Sequence, residues 1–175
     1  SKSVARTVNI KLNDVDLIPW DPFCIDHALT QKIGSQRMDV QDHDGTHIGD
    51  FHMTGYCVPH STLLSAEEKR STKMNEPNKW QGIYVYREER MLVAHEWFRL
   101  RARESHANSF RVELRFDYRL DDDFQLDFKK TRVVFNPAVR QALKDCLAMW
   151  GREAQRIYRE RNKDEEDDTI HDPSS

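Results

Sequence analysis

The sequence predicts an α+β fold, in which a mixed β-sheet carries helices on one face and a long helix ends the domain. Several short segments alternate apolar and polar residues, which is the period of half-buried strands. Two of these segments flank a short charged turn and predict a hairpin. The last third of the chain repeats apolar residues at spacings of three and four, which predicts an amphipathic helix. With 175 residues, one domain is expected.

The composition gives no general drive toward nucleic acid or a membrane. Charged residues make up 33% of the chain, and its formal net charge is -3. No apolar run approaches the roughly 20 residues of a transmembrane helix. The three cysteines, Cys24, Cys57 and Cys146, are widely spaced and do not form a disulfide framework. We therefore expect a reducing, cytoplasmic setting.

The start of the chain predicts a hairpin. Residues 8–12 alternate valine, isoleucine and leucine with polar side chains, and residues 15–18 give a second short strand. Asn13 and Asp14 between them are turn residues. The chain has neither an initiator methionine nor a signal peptide at its start, so we expect a fragment of a longer protein.

The next part of the chain predicts a bend, a loop and a strand. Two prolines and two aromatic residues in 19–23 predict a rigid bend whose Trp20 and Phe23 pack on the core. Residues 27–45 are polar and irregular, which predicts an exposed loop. Residues 46–58 predict a strand with imperfect alternation, which we attribute to a bulge near one of its two glycines.

The clearest strands lie in the second half of the chain. Residues 83–86 and 91–93 predict a hairpin around a charged tip. Residues 110–118 alternate strictly, with large apolar side chains on one side and arginine, glutamate and aspartate on the other. Such a strand is typical of a sheet that is covered on a single face, so we expect the other face to be wet.

Two helices are predicted. Ser65 is a plausible N-cap with Glu68 at the capping-box position. The long helix covers residues 136–161 and begins with Asn136 as its N-cap. Its expected buried stripe is Val139, Leu143, Cys146 or Leu147, Trp150, Ala154 and Ile157. Residues 163–175 are acidic and poor in apolar side chains, which predicts a disordered tail.

The most distinctive chemical feature is the lysine pair Lys129-Lys130. The pair ends an acidic, strand-like segment and lies a few residues before the helix start at Asn136. A lysine fixed against a domain core can act as a point charge for a phosphate that another domain holds. Because two lysines on a loop are more often simply solvated, other motifs must decide between the two interpretations.

The eight histidines raise the question of a metal site. The best set is Cys57 and His60, with His47 and His52 nearby, and a metal-dependent enzyme built on it is one hypothesis. Structural zinc sites usually take four ligands from two tight pairs, and only one tight pair is present, so we expect no metal. The aspartates at 121–123 predict a solvated turn. The chain has no glycine-rich phosphate loop, so it should not cradle a nucleotide alone.

A nucleic-acid surface is the alternative function. Arg99, Arg101 and Arg103 form a basic run beside aromatic residues, and arginines near the end of the long helix add to it. Clustered cations are sufficient to bind phosphates. On this interpretation the chain is a non-enzymatic α+β module that binds nucleic acid or protein through an arginine patch.

Several stretches together resemble one protein family. Residues 81–93 contain Gly-Ile-Tyr-Val-Tyr-Arg and then Arg-Met-Leu-Val, and they resemble a tyrosine-rich hairpin of that family, although Glu88-Glu89 replaces its usual asparagine or arginine tip. Residues 126–135 resemble a segment that ends in Lys-x-x-Val-x-Phe before a helix. Further matches lie at 19–23, 58–60 and 97–100. The chain resembles the transducer domain of GHKL ATPases (gyrase B, MutL and MORC proteins) and is most similar to bacterial MORC-like ATP-binding proteins.

The resemblance implies a specific fold and a specific lysine. It implies a transducer domain over residues 1–162 with a left-handed βαβ crossover like that of small-subunit ribosomal protein five, contrary to the usual right-handed rule. It also implies that Lys130 is the switch lysine that contacts the γ-phosphate of ATP, with Lys129 as the alternate register.

The resemblance further implies that this chain is not catalytic by itself. The nucleotide-binding domain would lie upstream, and ATP and magnesium would be cofactors of the full-length protein rather than of this chain. The implied partners are that upstream domain, a second copy in an ATP-dependent homodimer of the full-length protein, and DNA. MORC-like relatives suggest DNA handling or defence against foreign DNA, which is an argument by analogy.

Overall fold

The computed structural model describes residues 11–16, 20–124 and 133–170. The strands in these ranges are β1 (Lys11–Leu12), β2 (Val15–Asp16), β3 (Gln31–Gln41), β4 (His47–Cys57), β5 (Gly82–Arg87), β6 (Arg90–Glu96) and β7 (Phe110–Phe116). The α-helices are α1 (Ala66–Thr72), α2 (Pro77–Trp80) and α3 (Pro137–Ile170). Short 3-10 turns occur at Ser61–Leu63, Ser105–Ala107 and Tyr118–Leu120.

Strands β3 to β7 form one sheet with the spatial order β3-β4-β7-β5-β6. The central strand β7 runs antiparallel to β4 and parallel to β5. The pairs β3–β4 and β5–β6 are antiparallel hairpins. The sheet is therefore mixed, and together with α3 it confirms the predicted α+β class. Strands β1 and β2 form a separate hairpin, whose turn residues Asn13 and Asp14 both have positive φ, as a type I′ turn requires.

One face of the sheet packs against α3. The apolar side chains of β7 are buried on this face: Phe110, Val112, Leu114 and Phe116. The helix adds buried residues at the predicted spacings: Val139, Leu143, Cys146, Leu147, Trp150, Ala154 and Ile157. The predicted stripe is confirmed, and burying each of its large side chains contributes roughly 1.5–3 kcal/mol.

Two glycines let α3 approach the sheet closely. Gly34 of β3 and Gly55 of β4 are directly paired, and we call this pair the glycine notch. A Cβ atom on Gly55 would lie 2.9 Å from the ring of Trp150, and a Cβ atom on Gly34 would collide with the same indole. Gly151 has a similar role, because a Cβ atom there would collide with the guanidinium of Arg101.

The expectation that the helices lie on one face of the sheet is wrong. Helix α1 and residues 20–30 cover part of the opposite face. Arg111, which the alternation of β7 assigned to a wet face, is fully buried there. Its guanidinium donates to the carbonyl of Pro22 and, at 2.7 Å, to the carbonyl of Thr72. These acceptors offset the cost of removing a charged group from water, so the face can be closed over it.

The two aromatic residues of the predicted bend differ in their packing. Phe23 is buried between Tyr56 and Tyr84, with ring centroids 5.0 and 5.3 Å away, as predicted. Trp20 meets Trp80 edge-on at 5.4 Å but remains 37% exposed. The bend is therefore fixed mainly by Phe23, and Trp20 packs only partly on the core.

The predicted loop over 27–45 is wrong, because most of it forms β3. This strand lies at the edge of the sheet and exposes most of its residues on both faces. A strand without a well-buried face has no need for the alternation by which strands are recognised in a sequence. The predicted bulge is present, since the register of β3 and β4 shifts twice, near each of the two glycines of β4.

Two further expectations differ from the structure. A left-handed βαβ crossover is not found among the described strands, because residues 88–109 join the parallel strands β5 and β7 through β6 and a 3-10 turn without an α-helix. Helix α3 continues to Ile170, so most of the tail at 163–175 that was expected to be disordered is helical. Glutamate and lysine favour helices, and extending an existing helix costs little.

The capping box of α1 is confirmed and gives a first prediction. The Oγ of Ser65 accepts from the backbone N–H of Glu68 at 3.2 Å, and the carboxylate of Glu68 accepts from the N–H of Ser65 at 2.8 Å. Ser65→Ala should therefore lower the free energy of unfolding by about 1 kcal/mol. Urea denaturation followed by circular dichroism measures the change. Ser105→Ala removes an exposed hydroxyl that caps no helix, and an equal effect there would contradict the prediction.

Candidate functional site

The residues that flank the two candidate lysines on either side are held next to each other. Lys129 and Lys130 belong to residues 125–132, which we call the lysine segment, and this segment lies outside the described residues. Directly beside it, the backbone N–H of Val134 donates to the carbonyl of Phe124 at 3.1 Å. The chain therefore enters and leaves the lysine segment at one fixed place on the domain.

Asn136 connects this place to the first turn of α3. Its Oδ1 accepts from the N–H of Val139 at 2.9 Å, which confirms the predicted N-cap. Its Nδ2 donates to the carboxylate of Asp123 at 3.1 Å, and its backbone N–H donates to the Asp123 carbonyl at 3.2 Å. One side chain thus caps the helix and holds the two ends of the lysine segment together.

Aromatic packing holds the residues on either side of the lysine segment, which we call its base, in a rigid arrangement. Phe124, immediately before the lysine segment, is buried and stacks on Phe116 of β7 with ring centroids 4.1 Å apart. Phe135, after the segment, is also buried and meets Phe124 edge-on at 5.6 Å. The two flanking phenylalanines are therefore anchored in the hydrophobic core rather than on the surface.

The end of the β5–β6 hairpin joins the same base. Arg87 makes two hydrogen bonds to Asp121, at 2.7 and 2.8 Å, and this contact raises the pKa of the guanidinium. The hairpin turns at Glu88 and Glu89, as predicted, and Glu88 has a positive φ of 54°. The aspartates at 121–123 are therefore not only solvated, because the first and the last of them hold neighbouring elements. The sequence does not reveal these partners, which are distant along the chain.

The predicted arginine patch is largely used inside the domain. Arg103 donates to the carbonyls of Lys79 at 2.7 Å and Gln81 at 3.1 Å. Arg101 packs against Gly151, and its side chain is only 17% exposed. Arg99 is exposed. Two of the three arginines thus stabilise the fold, which leaves little of the patch available for a phosphate.

The predicted metal ligands are not brought together among the described residues. Cys57 is fully buried, and burial raises the pKa of its thiol to about 11. A different group converges at the end of the β3–β4 hairpin, where the Nε2 of His47 lies 3.0 Å from a carboxylate oxygen of both Asp39 and Asp50. Arg37, and then His47, hold the pKa of the Asp50 carboxyl down at about 2.

This group has the donor types of a cation site, but Arg37 already neutralises one of its two carboxylates. Arg37 forms an ion pair with Asp50, and His47 lies between Asp50 and Asp39. The sequence analysis missed the group because Asp39 belongs to β3, which was interpreted as a loop. The adjacent Asp42, His43 and Asp44 form the turn of the hairpin.

Comparisons with models of protein families, with curated proteins and with solved structures found no match for this chain. Among the described residues, none of the helices combines the length and the apolar character needed to cross a lipid bilayer.

Proposed function

We propose that this chain is the transducer part of a GHKL-type ATPase, in which Lys130 senses the γ-phosphate of ATP that an upstream domain holds. The observation that carries the proposal is the fixed base of the lysine segment. A charge on a segment of this kind can report on a phosphate only if its position is tied to the rest of the domain. The bonds between Phe124 and Val134, and between Asp123 and Asn136, provide that connection.

The proposed mechanism is electrostatic. In a site closed from water, a lysine ammonium makes a strong charge-assisted contact with a γ-phosphate. The contact exists with ATP and is lost with ADP, so it biases the equilibrium toward the closed arrangement of the two domains in the ATP state. This chain contributes the ammonium group and its support, and the upstream domain contributes the nucleotide, the magnesium ion and the general base.

Helix α3 is suited to carry the signal onward. It starts at the base of the lysine segment, where Asn136 caps it. About three-quarters of the way along, Arg161 donates to the carbonyls of Val58 at 3.3 Å and Leu29 at 2.5 Å, which ties the helix to the far end of the sheet. Trp150 fixes its middle in the glycine notch. A displacement at the base is therefore transmitted to the whole helix and not absorbed locally.

The transducer topology itself is part of the proposal. The parallel neighbours β5 and β7 and the tyrosine-rich β5–β6 hairpin support it. The lack of a helix between those strands within the described residues means that a relationship to known transducers would involve a changed connection. A homodimer that forms with ATP, and an action on DNA, remain proposals for the full-length protein.

The test uses the longer protein that includes the upstream region. Lys130→Ala should lower the ATP turnover rate by about 10²–10³-fold, the scale of one lost preorganised donor. Lys129→Ala is the matched control and should change turnover far less. Steady-state phosphate release measures both rates. Equal effects, or no effect from either substitution, would contradict the assignment of Lys130.

The isolated chain supplies a second control. It should give no specific heat when titrated with ATP and magnesium, because the residues that would hold the nucleotide lie in the other domain. Lys130→Ala should leave the unfolding midpoint of the isolated chain unchanged. A micromolar dissociation constant for ATP and this chain alone would overturn the division into two parts.

A further inference from the structure

The outer edge of β3 is an open site for another strand. This strand is 11 residues long and lies at one end of the sheet, and none of the described strands pairs with its outer side. Its two register shifts lie near its ends, so the stretch from Gly34 to Val40 is regular. An edge strand presents a row of backbone N–H and C=O groups that can pair with a further strand.

A cleft runs beside this edge, between β3 and α3. Its apolar part is formed by Ile33, Met149 and Trp150, and its polar part by Arg152, Glu153 and Arg156. Because Trp150 sits in the glycine notch, α3 is drawn close to the edge of the sheet. Met149 is 54% exposed although Trp150 beside it is buried, so its side chain is open to an occupant of the cleft. A strand added to β3 would therefore turn every second side chain toward this cleft.

The charges around the cleft favour an acidic occupant. Arg156 is neutralised by Glu153 and Glu160, with contacts at 2.5 Å to each. Arg152 has no ion-pair partner among the described residues, and Arg159 and Lys163 extend the line of cations along the exposed side of α3. This side of the helix is thus locally positive on a chain whose formal net charge is -3.

We propose that β3 and α3 together bind an extended peptide of a partner protein in which every second residue faces the cleft and these residues are by turns apolar and acidic. The peptide adds a strand to the outer edge of β3. Backbone hydrogen bonds supply the part of the affinity that does not depend on the peptide's side chains. Apolar side chains enter the cleft against Ile33 and Met149, and carboxylates on the same face contact Arg152. The site does not depend on the proposed nucleotide role, since none of its residues lies in the lysine segment or beside it.

The probe is a short fluorescein-labelled peptide of the repeat Val-Ser-Glu-Ser, here the glutamate–valine peptide, which places valine and glutamate on one face of a strand. Its binding to the whole chain is measured by fluorescence anisotropy. Arg152→Glu should weaken binding by about tenfold or more, because it places like charges together. The same variant should bind a lysine–valine peptide more tightly than the unmodified chain does. Lys144→Glu reverses another exposed charge of α3, two turns earlier, and should leave both affinities unchanged.

Amide spectra of the isotope-labelled chain test the position of the peptide. Binding should shift and protect amides between Gly34 and Val40, and a methyl spectrum should show a shift of the Met149 methyl signal. A peptide held only by charge would leave the β3 amides unprotected, and that result would overturn the strand-addition model. Failure of the glutamate–valine peptide to bind, or equal effects of the two charge reversals, would overturn the site. Neither result would bear on the role proposed for Lys130.

Discussion

Replacing Trp150 with alanine should lower the free energy of unfolding by about 3–5 kcal/mol, the usual cost of deleting a buried large aromatic side chain. Trp150 is buried, and its indole lies against the two glycines of the notch. Because Gly34 and Gly55 carry no side chain, neither of them can fill the space that the ring leaves. The cavity should therefore remain open, and the cost should lie at the upper end of this range.

The control for Trp150→Ala is Met149→Ala, at the preceding position of the same helix. Met149 is 54% exposed, so its removal should change stability by less than about 0.5 kcal/mol. Chemical denaturation of both variants, with tryptophan-independent circular dichroism as the signal, measures the difference. Equal losses would show that the indole does not fill the notch. Gly55→Ala provides a second check, because overpacking against Trp150 should cost about 1–3 kcal/mol.

Arg111→Met should be the other strongly destabilising substitution. It should lower the free energy of unfolding by about 3–5 kcal/mol, the usual cost when a buried charged network loses one member. Methionine keeps much of the length and apolar volume of arginine but donates no hydrogen bonds. The carbonyls of Pro22 and Thr72 would be left buried without a donor. Burial lowers the pKa of the guanidinium, which reflects how strongly this site removes the group from water.

Arg115→Met is the matched control, because Arg115 lies four residues later on the same face of β7. Its side chain is 40% exposed, and it contacts Glu113 and the ring of Tyr86. Its loss should cost less than about 1 kcal/mol, as for a surface ion pair. The two variants should be compared by urea denaturation. If Arg111→Met were as mild as Arg115→Met, residues 20–30 would not be held by the buried guanidinium.

Sequence patterns predicted the elements that have one buried face and one exposed face. The alternation of β7 and the buried stripe of α3 could be predicted because each element places its apolar residues on a single side. Strand β3 was missed because it is exposed on both faces, so its sequence lacks the apolar–polar alternation that predicts a strand. The prediction that Arg111 is exposed was wrong for a different reason. Its burial depends on carbonyls of Pro22 and Thr72, which are 89 and 39 residues away along the chain.

The candidate site was predictable only in part, for the same physical reason. Local signals identified the lysine pair and the N-cap at Asn136, because caps depend on neighbouring residues. The bond from Asn136 to Asp123 spans 13 residues, and the pair of Arg87 and Asp121 spans 34. Such partners are chosen by the folded arrangement of β5, β7 and α3. No pattern of spacing in the chain specifies them.

The position of β7 in the sheet has a consequence for the order in which the protein can form. Each of the hairpins β3–β4 and β5–β6 can form as soon as its own two strands have been synthesised. The two hairpins do not pair with each other, because β7 lies between them. The strand that joins them is the last of the five to be synthesised, and its first residue, Phe110, pairs with Cys57. Until then each hairpin has an open inner edge, the feature through which unfinished chains associate wrongly. The two hairpins can therefore join into one sheet only after synthesis has passed residue 116, the end of β7.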